Sequence, residues 1–151
     1  AVKALGLETG LTHMEWFQRG DGSFVISEVG ARPPGVHIVP MMSLAHGFDM
    51  VAAWVRLLVK GTFTAPPRTR AAGVACLRGQ GQGTRVTAVH GVAAAMAQVA
   101  PLVAEANLPR VGQTRAEGYE GEGHVILTHP HTQAVADGLR TLIQGIRVVL
   151  G

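Results

Sequence analysis

Glu15 and Glu28 lie in two runs that read as strands, THMEWF (12–17) and FVISEV (24–29), on either side of RGDG. Asp-Gly between such runs signals a tight hairpin. With Asp21 and Gly22 as a two-residue loop, Gly20 pairs with Ser23. That register puts Glu15 opposite Glu28, His13 opposite Gly30 and Phe17 opposite Ile26. Side chains alternate along a strand, so these six residues are expected on one face. Like charges directly opposite destabilise a strand pair unless a proton or a cation reconciles them. Carboxylate oxygens suit Mg²⁺, which takes one or two of them and leaves its other positions to water and substrate phosphates. The pair therefore reads as a shelf for a metal-bound nucleotide. The other reading of the same pattern is two solvated glutamates in a slipped register.

In EVGARPPG, Arg32 falls just past the second strand and is followed by the stiff Pro33-Pro34. A guanidinium fixed beside a carboxylate-bound metal is suited to clamp a phosphoryl or acyl-phosphate oxygen. A plain salt bridge to Glu28 is the alternative. His13, on the carboxylate face, is expected either to touch the nucleotide pocket or to pack at the hairpin edge.

The elements that must hold these residues follow from periodicity and breakers. Pro33 and Pro34 end the ladder, because they donate no backbone N–H. A helix is expected over His37 to His46, broken by Gly47. Asp49 is a good cap for a second helix reaching about Lys60, in which Met50, Val51, Trp54, Val55 and Leu58 recur at helical spacing and should dock as one apolar face. GTFTAPPRTR (61–70) is the expected joint between two units. Beyond it, strands are expected at 72–77 and 84–90, joined by RGQGQG as a flexible hairpin loop. A short helix from Val92, an irregular or extended stretch to Arg110, a turn at 118–123, a strand at 124–128 and a helix over 132–149 complete the chain. The methionines Met41, Met42 and Met50 are expected to fill core.

Composition removes several classes of function. The arginines are scattered and only one tyrosine is present, which is not the basic stripe with aromatics that nucleic acid requires. No apolar run reaches the roughly 18 residues of a membrane span, and no secretory signal is visible at the start, which reads as a cut or processed end. Single Cys76 cannot form an internal disulfide; an inert buried thiol and a reducing, cytoplasmic home are expected. The histidines show no zinc spacing, HPH (129–131) reads as a turn, and RGQGQG lacks the spacing and lysine of a phosphate loop.

Read together, GLTHMEWFQRGDGSFVISEVGARPPGVHI resembles the closing segment of the ATP-grasp domain, found in biotin carboxylase, the carbamoyl phosphate synthetase large chain and amino-acid ligases. The resemblance implies that Glu15 and Glu28 bind Mg²⁺ (or Mn²⁺) and, with His13, contact ATP. Arg32 would contact the phosphoryl or acyl-phosphate group. The position usually held by Asn is Gly30. GFDMVAAWVRLLVKG looks like the helix that closes the domain. The implied fold is α+β: residues 1–62 as the C-terminal half of an ATP-grasp domain, an antiparallel hairpin sheet with packed helices, and residues 70–151 as a small α+β C-terminal domain. The implied reaction activates a carboxylate with Mg-ATP for attack by an amine or other nucleophile. Its partners would be small-molecule carboxylates and amines, with no nucleic acid or membrane; self-association into a homo-oligomer stays open. The family's glycine-rich loop, phosphate-binding lysines and adenine hinge are not found, so these residues alone are expected to bind ATP poorly and catalyse nothing. Two rival readings stand beside this one: a non-catalytic binding or assembly module, and a metal-dependent hydrolase using His13, Glu15 and Glu28.

Overall fold

Strands β1 (His13–Gln18) and β2 (Phe24–Gly30) form an antiparallel two-stranded sheet. Two helices follow, α1 (Ile38–His46) and α2 (Met50–Lys60). Asp49 caps α2 as its sequence demands, its side chain accepting from the Ala52 N–H at 3.0 Å, and Gly61 closes the helix in the left-handed conformation at φ 67°. A computed structural model describes residues 2–151, which divide into one unit of residues up to 43 with 48–66 and a second of 44–47 with 67–151. Among the described residues, no single helix is long and apolar enough to cross a membrane.

The expected docking face of α2 forms only in part. Met50 is buried and Trp54 half-buried, but Val51, Val55 and Leu58 are exposed. The periodicity was sound. An apolar stripe marks a surface suited to burial, and within its own unit this helix finds no element to cover it.

The second unit is α+β, as expected. Strands β3 (Ala71–Leu77), β6 (Val103–Asn107) and β7 (Gly123–His129) form an antiparallel sheet in the order β3-β7-β6. A smaller sheet has the order β4-β8-β5, from Gly79–Gln80, Arg147–Leu150 and Val86–His90, with β4 parallel to β8. Helices α3 (Val92–Val99) and α4 (Thr132–Gly145) pack together, and α4 lies on β3 and β7. The core holds Val125, Leu127 and Leu142, all with no exposure. Truncating a leucine so placed costs about 2–5 kcal/mol.

Two sequence expectations are corrected here. The last helix stops at Gly145, not Val149, because Ile146 is extended and Val148 and Leu150 alternate into the core as strand β8. The stretch after α3, expected to be irregular or extended, is extended over β6. RGQGQG is no flexible hairpin loop: it carries β4, and β3 and β5 belong to different sheets. Its glycines permit close approach of two backbones. A Cβ at Gly79 would lie 2.6 Å from Leu150 Cγ, one at Gly81 2.6 Å from the Leu150 carbonyl, and one at Gly83 2.2 Å from Gly151 backbone.

Glu122 is the buried carboxylate of this unit. It accepts hydrogen bonds from the Gly79 and Ala116 N–H groups, the latter at 3.0 Å, while its own carbonyl accepts from Gln113 Nε2 at 2.8 Å. The turn at 118–123 is thus tied to the glycine segment by the Glu122 side chain.

Candidate functional site

The hairpin places Glu15 opposite Glu28 and His13 opposite Gly30, as the sequence predicts, but by a different route. The loop has three residues, Gly20, Asp21 and Gly22. Arg19 N–H donates to Ser23 O at 2.8 Å, Gly22 N–H to Arg19 O at 2.9 Å, and Gly22 takes the left-handed conformation at φ 83°. This is the three-residue hairpin closed by a left-handed glycine. It shifts the pairing by one residue from a two-residue loop, so Gln18 faces Phe24, Phe17 faces Val25 and Trp16 faces Ile26. A β-bulge at Ser27 then restores the register before Glu28.

The expected Phe17–Ile26 pair is therefore wrong, and the physical reason was in the sequence. Strict alternation would put Phe24, Ile26 and Glu28 on one face. The bulge sorts them: Ile26 joins Trp16 on the apolar side, and Glu28 joins Glu15 on the other. On the apolar side Met14, Trp16, Phe24 and Ile26 line a shallow hollow of about 350 Å³, with Trp16 and Phe24 edge to face at 4.8 Å.

The loop is fastened by Asp21. Its Oδ1 accepts from Ser23 Oγ at 2.7 Å and Ser23 N–H at 2.9 Å, and these bonds, the hydroxyl first, hold its carboxyl below the usual aspartate range.

Four predicted site residues come together on the polar face. Arg32 Nη1 lies 3.2 Å from His13 Nδ1 and 3.3 Å from Pro33 O, and its Nη2 lies 3.4 Å from Glu28 Oε1. His13 Nε2 stands 3.7 Å from Glu15 Oε1. The order is Glu15–His13–Arg32–Glu28, with both carboxylates about half exposed. The plain salt bridge from Arg32 to Glu28 is thus present, yet an exposed pair is worth at most about 1 kcal/mol. It leaves the carboxylate oxygens open to a competing divalent ion.

The donor set fits Mg²⁺ or Mn²⁺: two hard, solvent-accessible carboxylates abreast on one strand pair, with Gly30 adding no side-chain oxygen. It fits a zinc hydrolase poorly, since His13 is the one histidine in the Glu15–His13–Arg32–Glu28 cluster and the other donors are hard carboxylates beside a cation.

Sequence reasoning missed two local features. Gly30 is not simply vacant, because a Cβ there would lie 3.3 Å from Arg32 Cγ, so the arginine stem runs across it. After Pro33-Pro34-Gly35, Val36 and His37 adopt positive φ of 50° and 60° immediately before α1. For a β-branched residue that is strain of order 1–3 kcal/mol, of a kind that gathers at functional segments. The stiff prolines were the only signal of it.

No protein-family sequence model matches the chain, and no curated protein sequence does. Solved structures do. The chain superposes on an L-amino acid ligase from Bacillus licheniformis with a TM-score of 0.78 at 21% identity, covering 99% of this chain and 38% of that one. An N5-carboxyaminoimidazole ribonucleotide synthetase from Thermotoga maritima matches at 0.68 and 17%, and a phosphoribosylglycinamide synthetase from Anaerococcus prevotii at 0.70 and 14%, each covering 99% of this chain and 39% of the other. The chain spans less than two-fifths of the length of these proteins. The chain shares the fold of a part of each of these three proteins, an α+β arrangement of the kind the resemblance read from the hairpin implied.

Proposed function

We propose that this chain supplies the metal-binding and phosphoryl-contacting part of an ATP-dependent ligase that activates a carboxylate as an acyl phosphate for attack by an amine or other nucleophile. The observation that carries the reading is the pair Glu15 and Glu28, directly opposite on one hairpin face, with the Arg32 guanidinium 3.4 Å from Glu28.

The residues divide the work by their chemistry. Glu15 and Glu28 offer oxygens to Mg²⁺, and the ion when bound would neutralise charge on the ATP phosphates. Arg32 uses Nη1 and Nη2 for His13, Pro33 and Glu28, which leaves its Nε–H to donate to a phosphoryl or acyl-phosphate oxygen. Little covalent work falls to the protein, so what it contributes is position and charge. Pro33 and Pro34 serve that end by stiffening the turn that carries Arg32.

The rest of an ATP site, including a glycine-rich loop with its lysine, is not found in these residues. By themselves they should turn over no ATP. The deciding measurement is Mg²⁺-dependent ATP binding, and ADP release with carboxylate and amine pools, by the natural chain that contains them. Glu28→Gln should lower turnover by about 100-fold or more, and Glu120→Gln should not. Equal behaviour of the two variants would remove the hairpin from the chemistry and favour the scaffold or assembly reading.

A further inference from the structure

Arginine is a long side chain with many rotamers, and fixing it before a ligand arrives removes an entropic penalty from the reacting complex. Arg32 is fixed at both ends. Its stem lies over Gly30, where a Cβ would meet Cγ at 3.3 Å and Nε at 3.4 Å. Gly30 has no positive φ, so its backbone does not demand glycine; the space above it does. At the far end, Nη1 meets His13 Nδ1 at 3.2 Å.

For a neutral imidazole, that contact assigns the tautomer by its chemistry. A guanidinium has only donors, so Nδ1 must be the bare, accepting nitrogen. The neutral ring then carries its hydrogen on Nε2, the atom 3.7 Å from Glu15 Oε1. One imidazole therefore accepts from the arginine and points its N–H toward the neighbouring carboxylate.

We propose that Gly30 and His13 form a seat for Arg32. Gly30 supplies the room for the stem, and His13, as the Nε2–H tautomer, supplies the acceptor for the head. Both are positioning residues that act through the arginine. The catalytic consequence rests on the role given to Arg32 above; the seat itself does not.

Two experiments test it. In ¹⁵N-labelled chain, with the imidazole neutral, long-range ¹H–¹⁵N correlation should show His13 protonated on Nε2 and bare on Nδ1, and His13→Phe should shift the Arg32 Nε–Hε signal. The opposite tautomer, or an unmoved arginine signal, overturns the seat. In the natural chain, His13→Phe should lower kcat by about 10- to 100-fold with the KM for ATP little changed. His13→Asn, which keeps an acceptor near the Nδ1 position, should recover most of that loss, and Gly30→Asn, which crowds the stem, should reproduce it. Equal loss in His13→Phe and His13→Asn, or none in either, also counts against the seat. If Glu28→Gln alone abolishes turnover, the ligase reading survives and the seat does not. If the wild-type chain has no ATP turnover, the ligase reading fails, while the tautomer and the arginine signal still decide the seat.

Discussion

At the scale of single residues, Asp21 offers the cleanest dependence on pH. Its folded carboxyl is held below the usual range by Ser23, so its contribution to loop order is complete above that range. It is lost as pH falls through the depressed value. The Ser23 amide resonance should therefore move in acid, and Asp21→Asn should abolish that movement while the Glu15–Glu28 register survives. An Asp21→Asn spectrum that still shifts in acid would point to another group. Cys76 shows the limit of reading a residue from its neighbours. The sequence suggested a buried thiol; the strand leaves it half-buried, and it is burial first, then the Glu120 charge, that pushes the thiol upward and keeps it protonated. Arg32, His13, Glu15 and Glu28 were legible because their types clash unless something reconciles them. Gly30 was legible only as a position without a side-chain ligand, since a sequence cannot show that the Arg32 stem will cross it.

At the scale of elements, the hairpin shows two wrong steps that compensate. A two-residue loop was inferred where three residues turn, and an unbroken β2 where Ser27 bulges, and together they return Glu15 to Glu28. The bulge was open to inference, because Phe24, Ile26 and Glu28 share a parity that no half-apolar strand tolerates. Strand β8 was hidden by the helical periodicity of α4 running up to it, and the glycine segment 79–83 by its likeness to a mobile loop. These glycines make a firm prediction. Gly83→Ala sets a methyl against the Gly151 backbone and should destabilise the chain by about 2 kcal/mol or more through loss of close packing just past the end of β8. Gly20→Ala, with open space around its Cβ, should leave the denaturant midpoint nearly unchanged. Equal midpoints for both would refute the packing account.

At the scale of the whole molecule, the described residues include exposed apolar groups on the hairpin, Met14, Trp16, Phe24 and Ile26, and on α2, Val51, Val55, Leu58 and Val59. Contiguous exposed apolar area is uncommon on a monomer at equilibrium. These 151 residues in isolation should therefore self-associate as concentration rises, and Trp16→Ser with Val55→Ser should weaken that association in sedimentation velocity. Ideal monomer sedimentation of the unaltered chain at high concentration would contradict this. Most of the strands and helices were visible in outline from breakers and periodicity, whereas what covers an apolar face is a property of partners and not of local pattern. The bulge at Ser27 has one more effect at this scale. It works as a slip joint: the hairpin tip can gain or lose a residue, and the joint can open or close to absorb it, while the two glutamates stay abreast. A one-residue insertion at the tip of this hairpin should therefore leave the Glu15–Glu28 pairing in place.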